Sequence, residues 1–414
     1  MTAGGLGGLG ELVGRRSVVV CCGSGGVGKT TVAASIALQA AREGRRCCVV
    51  TIDPAKRLAD ALGLESLTNT PGLVEGDWPG ELWALMLDTK GTFDDLVGRY
   101  ATEPSQAESI RTNRIYGNLS SALSGTQEYM ASEKLYELHE EGRFDLVVVD
   151  TPPTRDALDF IDAPRRLTGF LDNRVFRMMM APTRALRAVS VATRSILRTI
   201  SKVVGSEVVS DAVDFFQAFE GMEEGFRERA GRVVDLLSDE GSAFVLVASP
   251  RRDAVAEALY FADRLAEAHI AVQALVVNRL LPRFEEPAAG AGSGAGAAGS
   301  GVGAAGSGVG AAGSGVGAAG FGAGAAGSGA GIVAGGRAPV DPPAGRRGAD
   351  LAVLEANLAA LRSVAEREEA NYSVLAERVA PAPVARVPFL RSDVHDLSGL
   401  AEVAGHLFPP PGQP

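Results

Sequence analysis

The residues from Gly23 to Thr31 have the types and the spacing of a loop that binds phosphate. They follow the pattern G-x-x-x-x-G-K-[ST]. Glycines let backbone N–H groups close around phosphate oxygens, where a side chain would block them. Lys29 is expected to neutralise the β- and γ-phosphates, and the Thr30 hydroxyl to ligate Mg²⁺. We therefore predict a site for a nucleoside triphosphate and Mg²⁺, made by nine consecutive residues: Gly23, Ser24, Gly25, Gly26, Val27, Gly28, Lys29, Thr30 and Thr31.

The segments on either side of this loop predict a strand before it and a helix after it. Residues 16–22 are an almost continuous apolar run, typical of a strand buried on both faces of a parallel sheet. Residues 31–43 are Ala-rich and stop at Gly44, which favours a helix. Further strands are predicted at 46–52, 144–149, 243–248 and 271–277. Because strands and helices alternate, we predict an α/β fold with a doubly wound, mainly parallel sheet of the P-loop NTPase type and a helical insert.

An aspartate follows each of the first two strands predicted after the loop. Asp53 follows the strand at 46–52, and Asp150 follows the strand at 144–149. Ligands bind beyond the carboxyl ends of the strands in such a sheet. We assign catalytic roles to Asp53, which would orient the attacking water, and to Lys29, and the Mg²⁺ site to Thr30 and Asp150. For either aspartate alone, a role in a helix cap or a turn is commoner than a catalytic role. Because both follow strands beside a phosphate loop, however, the functional interpretation is favoured.

With these motifs the chain resembles the ArsA-type ATPases, which include arsenite-pump ATPases and ATPases that target tail-anchored membrane proteins. The resemblance covers most of the chain and also rests on four segments: residues 53–55, 125–130, 150–154 and 276–280. It is strongest for the actinobacterial Get-like members, in which two related subunits can pair. The resemblance implies ATP hydrolysis, switch regions at 53–55 and 150–154, and adenine recognition by Asn278 with Pro388 nearby.

The chain departs from this family at the second residue of the loop. Members usually carry a signature lysine there, which reaches across a dimer interface to the partner's phosphates, whereas this chain has Ser24. A serine hydroxyl brings no positive charge. We hypothesise that a related subunit, or Lys56 or Arg57 in the first switch, supplies the missing cation. Homodimer and heterodimer both remain open.

Composition restricts the partners and the compartment. The 414 residues carry a net charge of −10, which argues against nucleic acid as a partner because binding it needs a basic face. The four cysteines form two adjacent pairs at 21–22 and 47–48, inside predicted strands, and are expected to be small core residues. No signal-peptide pattern and no apolar run of membrane-spanning length is found, so the chain is predicted to be cytoplasmic, with peripheral membrane attachment left open.

Four parts are predicted along the chain. Residues 1–14 are Gly-rich and expected to be disordered. Residues 157–235 are expected to form a helical insert subdomain that meets a client or a partner, and residues 288–337 are a Gly/Ala/Ser-rich repeat expected to be a flexible linker. A long helix is predicted from 350 to 379. The ATPase domain is expected over three stretches: 15–156, 236–287 and 338–408.

Two patterns in the predicted insert bear on partner binding. Three consecutive methionines at 178–180 precede a basic amphipathic stretch at 184–202. Such a combination occurs in helices that lie on membranes or bind client helices, and also in helices that pack inward. A second set recurs at helical spacing, and we expect it to pack inside the protein: Phe215, Phe219, Met222 and Phe226.

The residues leave more than one function open. The first is an ATP-driven dimer that opens and closes a helical surface for an apolar or amphipathic client. The second is the energising subunit of an anion or metalloid efflux pump, although the predicted insert has no cysteine, the soft ligand that trivalent arsenic needs. The third is a nucleotide-binding regulatory partner of a related active subunit, which the intact Lys29, Asp53 and Asp150 disfavour. A chromosome-partition ATPase is disfavoured because residues 399–414 form no basic amphipathic helix.

Overall fold

Helices and strands alternate along the chain in the computed structural model. The structure describes residues 8–52, 57–114, 116, 126–152, 159–172, 211, 214–215, 217–282 and 344–409. The helices are α1 (Leu9–Arg15), α2 (Lys29–Arg42), α3 (Arg57–Leu62), α4 (Thr89–Tyr100), α5 (Pro104–Thr112), α6 (Thr126–Glu140), α7 (Asp159–Leu171), α8 (Glu223–Ser238), α9 (Arg252–Glu267), α10 (Ala344–Val379) and α11 (Leu397–Leu407). The strands are β1 (Val18–Cys22), β2 (Arg46–Thr51), β3 (Gly72–Val74), β4 (Glu81–Met86), β5 (Leu146–Asp150), β6 (Ser242–Ala248), β7 (Val272–Leu280) and β8 (Val384–Pro388).

The strands form one sheet of eight in the order β3-β4-β2-β5-β1-β6-β7-β8. Only the edge pair β3 and β4 is antiparallel, and the other neighbours are parallel. This confirms the predicted α/β class with a mainly parallel sheet. The strands that follow β1 in sequence, β2 to β5, all lie on one side of β1 in the sheet, and β6 to β8 lie on its other side. The sheet therefore has its switch point at the carboxyl end of β1, where ligands bind in such folds.

Both faces of the sheet are covered, which explains why the central strands are continuously apolar. Alternate side chains of β1 enter two separate cores, with Val18 and Val20 in one and Val19 and Cys21 in the other. Helices α6, α8 and α9 contribute to the first core, and α1, α2 and α11 to the second. Every residue of β1 and β5 is buried.

The four cysteines lie in β1 and β2, and all are free and buried. Adjacent cysteines point to opposite faces, so that Cys21 and Cys22 enter different cores. Burial raises the pKa of the Cys22 thiol to about 12, which keeps it protonated near neutral pH. Their predicted role as small core residues is confirmed.

Several element boundaries differ from those predicted. Disorder over residues 1–14 is wrong for residues 9–14, because α1 buries Leu9, Leu12 and Val13 at helical spacing in spite of the surrounding glycines. Helix α2 begins at Lys29, before the predicted start at residue 31. Strands β3, β4 and β8 were not predicted. Within the described ranges no helix is both long and apolar enough to cross a membrane.

The chain forms two compact units, one made of Met1–Pro282 with Ser363–Pro414 and the other of Arg283–Arg362. The described part of the second unit is residues 344–362, in which Leu351 and Leu354 are exposed. Residues 288–337, the predicted linker, lie outside the described residues. Helices α7 and α8, at the two ends of the predicted insert, belong to the first unit and contribute to the sheet's first core.

The aromatic stripe of the predicted insert packs inward. Phe215, Phe219, Met222 and Phe226 are all buried. The rings of Phe219 and Phe226 lie 5.6 Å apart, and the ring of Tyr100 lies 5.3 Å from that of Phe226. The packing role predicted for this stripe is confirmed. The methionines at 178–180 and the basic stretch at 184–202 lie outside the described residues.

A buried ion pair fastens α6 to α8. Arg229 Nε lies 2.6 Å from Glu133 Oε1, and both side chains are almost wholly buried. Arg229 Nη1 also contacts the more exposed Glu140 at 2.6 Å. Burial raises the pKa of Glu133 while Arg229 opposes the rise, and the hydrogen bond from Arg229 lowers the pKa of Glu140. Helices α6 and α8, which both contribute to the first core, are thus joined by an ion pair as well as by apolar packing.

Glu133→Ala is expected to lower the free energy of unfolding by about 3 kcal/mol, because it leaves the buried Arg229 guanidinium without its buried partner. Glu140→Ala is the matched control, since it removes a carboxylate from the same arginine at a solvated position and should cost about 1 kcal/mol or less. Urea unfolding measures both. Equal losses in the two variants would contradict the importance of the buried pair.

Candidate functional site

The loop that joins β1 to α2 has a backbone that requires glycine. Gly28 has φ of +97° at the N-cap of α2, and a Cβ there would overlap Asn278 Nδ2. Gly23 has φ of +149°, and a Cβ there would overlap the carbonyl of Val247 in β6. The loop is therefore held against β6 and the end of β7, close enough that a side chain at either glycine would displace it.

Lys29 and Thr30 lie in the first turn of α2 and not in the loop before it. The Lys29 side chain is 6% exposed, and its Nζ donates to the carbonyls of Gly23 and Ser24 at 3.0 and 2.9 Å. The helix start adds the positive end of its dipole and the N–H groups that have no acceptor within the helix itself. Buried ammonium, loop amides and helix start together make this end of the sheet suited to an anion such as phosphate.

Asp150, at the end of β5, contacts this helix start. One of its oxygens, Oδ2, accepts from Thr30 Oγ1 at 2.7 Å and from Thr51 Oγ1 at 3.0 Å. Asp150 is 1% exposed. Two hydroxyls and a carboxylate are the hard oxygen donors that Mg²⁺ prefers, so the set fits that ion. Thr51 had no predicted role, because its contact with Asp150 depends on β2 and β5 being neighbours.

Two further contacts tie the strand ends together. Thr151 Oγ1 donates to the Cys21 carbonyl at 2.8 Å, which joins β5 to β1. Gln127, in the first turn of α6, donates to the carbonyl of Ile52 at 3.1 Å. Asp53 follows Ile52 directly but lies outside the described residues, as does Lys56. The described chain is therefore held up to Ile52, the residue directly before the predicted catalytic aspartate.

A cavity of about 580 Å³ lies in front of the loop and the start of α2. Its lining includes Lys29, Thr30, Arg57, Asn278 and Pro388. This volume is in the range of pockets that hold small ligands. The structure thus brings the two predicted base-recognition residues, Asn278 and Pro388, to the same cavity as Lys29 and Thr30.

A second cavity, of about 790 Å³, is lined by Ser24 and shares Gly26 and Arg279 with the first. Charged side chains make up much of its wall, including Arg251, Asp253, Glu257 and Arg279. Ser24 is 4% exposed, and within the described part of the chain its Oγ makes no hydrogen bond. The position that departs from the family pattern therefore faces a different space from Lys29.

The fold and this loop define a P-loop nucleotide-binding ATPase. Residues 16–289 match the family model described as anion-transporting ATPase, which spans more than half of the chain. The chain therefore belongs to the anion-transporting ATPase family, and it binds nucleotide and hydrolyses ATP. This confirms the resemblance to the ArsA-type ATPases that the sequence motifs indicated.

Individual relatives agree with this assignment. The protein named ATPase get3 of Sclerotinia sclerotiorum is 26% identical over 261 residues, which cover 63% of this chain and 71% of that protein. ATPase GET3B of Arabidopsis thaliana is 27% identical over 289 residues, which cover 65% of each. The ATPase ASNA1 homolog of Babesia bovis is 33% identical over 151 residues, covering 36% of this chain and 39% of that protein.

Gly28→Ala is expected to disrupt the loop more than Gly26→Ala. Both glycines have positive φ, at +97° and +76°, but only at Gly28 would the new Cβ meet another residue, Asn278. For Gly28→Ala we expect a Tm lowered by several degrees and a nucleotide affinity lowered at least about tenfold. For Gly26→Ala we expect only the smaller loss of stability that comes from backbone strain. Differential scanning fluorimetry with and without ADP measures both effects, and identical behaviour of the two variants would contradict the proposed contact.

Proposed function

We propose that ATP binds in the cavity in front of the loop, with its phosphates on residues 23–31, and is hydrolysed there. The observation that carries this is the contact of Thr30 with Asp150 at 2.7 Å beside the buried Lys29. Lys29 balances the charge of the terminal phosphates. Thr30 and Asp150 are the residues that would hold Mg²⁺, which would supply positive charge to the phosphate oxygens. Asp53, the carboxylate next after β2, orients the attacking water.

Asn278 and Pro388 are proposed to receive the adenine base. Asn278 Nδ2 already donates to the Val27 carbonyl at 2.8 Å, and its Oδ1 accepts from the Arg279 N–H at 2.9 Å. An amide has two N–H donors and two oxygen lone pairs, so one of each remains for a base. The two contacts that are already made fix the amide's orientation, which would let it recognise the base edge without first being ordered.

We further propose that a second, related ATPase subunit completes the site. Support comes from Ser24, which takes the place of the lysine that the resemblance leads us to expect, and from the charged cavity beside it. A cationic side chain of the partner would enter from that side of the loop. Within the chain itself, Arg57 borders the nucleotide cavity and Lys56 precedes it in sequence, so these two are the internal alternatives.

ATPase activity of the purified chain, alone and mixed with its related subunit from the same cell, tests this pairing. We expect low turnover alone and a rise of about tenfold or more in the mixture, in line with the effect of a charge supplied in trans. The Lys56→Ala, Arg57→Ala double variant separates the internal source from the external one. Full activity of that double variant alone would contradict the need for either cation.

For the biological role, we propose an ATP-driven change in a helical surface that binds an apolar or amphipathic protein client. Support is the Met-rich and basic sequence at 178–202. The energising subunit of a metalloid pump is the weaker candidate, because the four cysteines are all buried in β1 and β2, where no soft ligand is offered to trivalent arsenic. A nucleotide-binding regulatory partner of a related active subunit is the third candidate, which Ser24 leaves open and which the intact Lys29 and Asp150 disfavour.

Asp53→Asn is expected to leave ATP affinity within about threefold of wild type and to lower kcat by about a hundredfold or more, because it removes the group that orients water and not one that holds phosphate. Lys29→Ala is expected to lose nucleotide binding. Asp235→Asn, at an exposed position on α8, is the control for loss of an aspartate. Calorimetric titration with ATP and steady-state phosphate release measure the two effects, and normal turnover in Asp53→Asn would falsify its assignment.

A further inference from the structure

Arg279 has an unusual backbone conformation beside the phosphate loop. Among the described residues, the non-glycine residues with positive φ are His269 at +61° and Arg279 at +63°. The pairing of β7 with β8 shifts register between Asn278 and Leu280, so that Arg279 is the extra residue of a β-bulge. L-residues enter this left-handed region at a cost, and bulges beside functional sites re-aim side chains.

The bulge directs the Arg279 side chain back onto the loop. Its Nη1 donates to the Gly26 carbonyl at 3.0 Å. The preceding residue, Asn278, donates from Nδ2 to the next carbonyl of the loop, that of Val27, at 2.8 Å. Two consecutive side chains of β7 therefore hold two consecutive carbonyls of the phosphate loop. Arg279 also borders both cavities.

Holding a carbonyl fixes the N–H of the same peptide. In a planar trans peptide the C=O and the N–H point in opposite directions. The contact at the Gly26 carbonyl therefore sets the direction of the Val27 N–H, and the contact at the Val27 carbonyl sets that of the Gly28 N–H. Loop N–H groups are the donors that bind phosphate in a nest, and they act best when their directions are set before the ligand arrives.

We propose that Arg279 is a positioning residue for nucleotide binding: its guanidinium holds the Gly26 peptide so that the loop amides are oriented for the phosphates of ATP. This inference rests on the proposed function and assigns a role to a residue that the ATPase motifs leave without one. The bulge is the device that makes the contact, because the side chain of a regularly paired residue would stand perpendicular to the sheet.

Arg279→Gly tests the role because it separates stability from binding. Glycine adopts positive φ without strain, so the Tm of the nucleotide-free protein should stay within about 2 °C of wild type or rise. Loss of a charge-assisted hydrogen bond should lower ADP and ATP affinity about tenfold, and Arg279→Lys should recover part of the loss. His269→Gly is the matched control, since it relieves the same backbone strain away from the loop.

Calorimetric titration with ADP and ATP, together with Tm measured without nucleotide, gives the outcome. Lower affinity in Arg279→Gly at unchanged Tm, with normal affinity in His269→Gly, supports the proposal. Nucleotide affinity within twofold of wild type in Arg279→Gly overturns it. A fall in Tm large enough to explain the loss of affinity also overturns it, because Arg279 would then stabilise the fold and not position the loop. Failure of the wild-type chain to bind either nucleotide contradicts the proposed function instead.

Discussion

The path of the phosphate loop, held between the end of β1, β6 and β7, is the constraint on which the site depends. Gly23 lies against the Val247 carbonyl and Gly28 against Asn278, at distances that exclude a Cβ. The carbonyls of Gly26 and Val27 are held by side chains of β7. The conformation of this glycine-rich loop is therefore set by its contacts with the neighbouring strands. Lys29 then enters it from the first turn of α2.

The same logic connects the loop to the rest of the sheet. One oxygen of Asp150 accepts from both Thr30 of α2 and Thr51 of β2, which links the helix after the phosphate loop to the strand before Asp53. Helix α6 touches the backbone just before Asp53 through Gln127, and the buried pair of Glu133 and Arg229 joins α6 to α8. These contacts connect the phosphate loop to α6 and α8 through groups that touch one another.

The sequence predicted what depends on local pattern, and it missed what depends on which strands are neighbours. The phosphate loop, the buried central strands and Asp150 follow from spacing and periodicity. Strand β3 is too short for a pattern, and β8 ends in a proline. The role of Thr51 requires β2 beside β5, and that of Arg279 requires a bulge between β7 and β8. Helix α1 was not predicted because its glycines were interpreted as a sign of disorder, although three apolar residues stand at helical spacing.

Hydrogen exchange of the backbone amides, measured with and without MgADP, tests most directly the claim that this loop is where nucleotide binds. We predict strong protection of the amides of residues 24–31, with weaker protection at 150–151 and 389–390, because loop amides would donate to phosphate while the strand ends border the same ligand. Nucleotide binding without protection of residues 24–31, or with protection confined to the second cavity at 249–257, would contradict it.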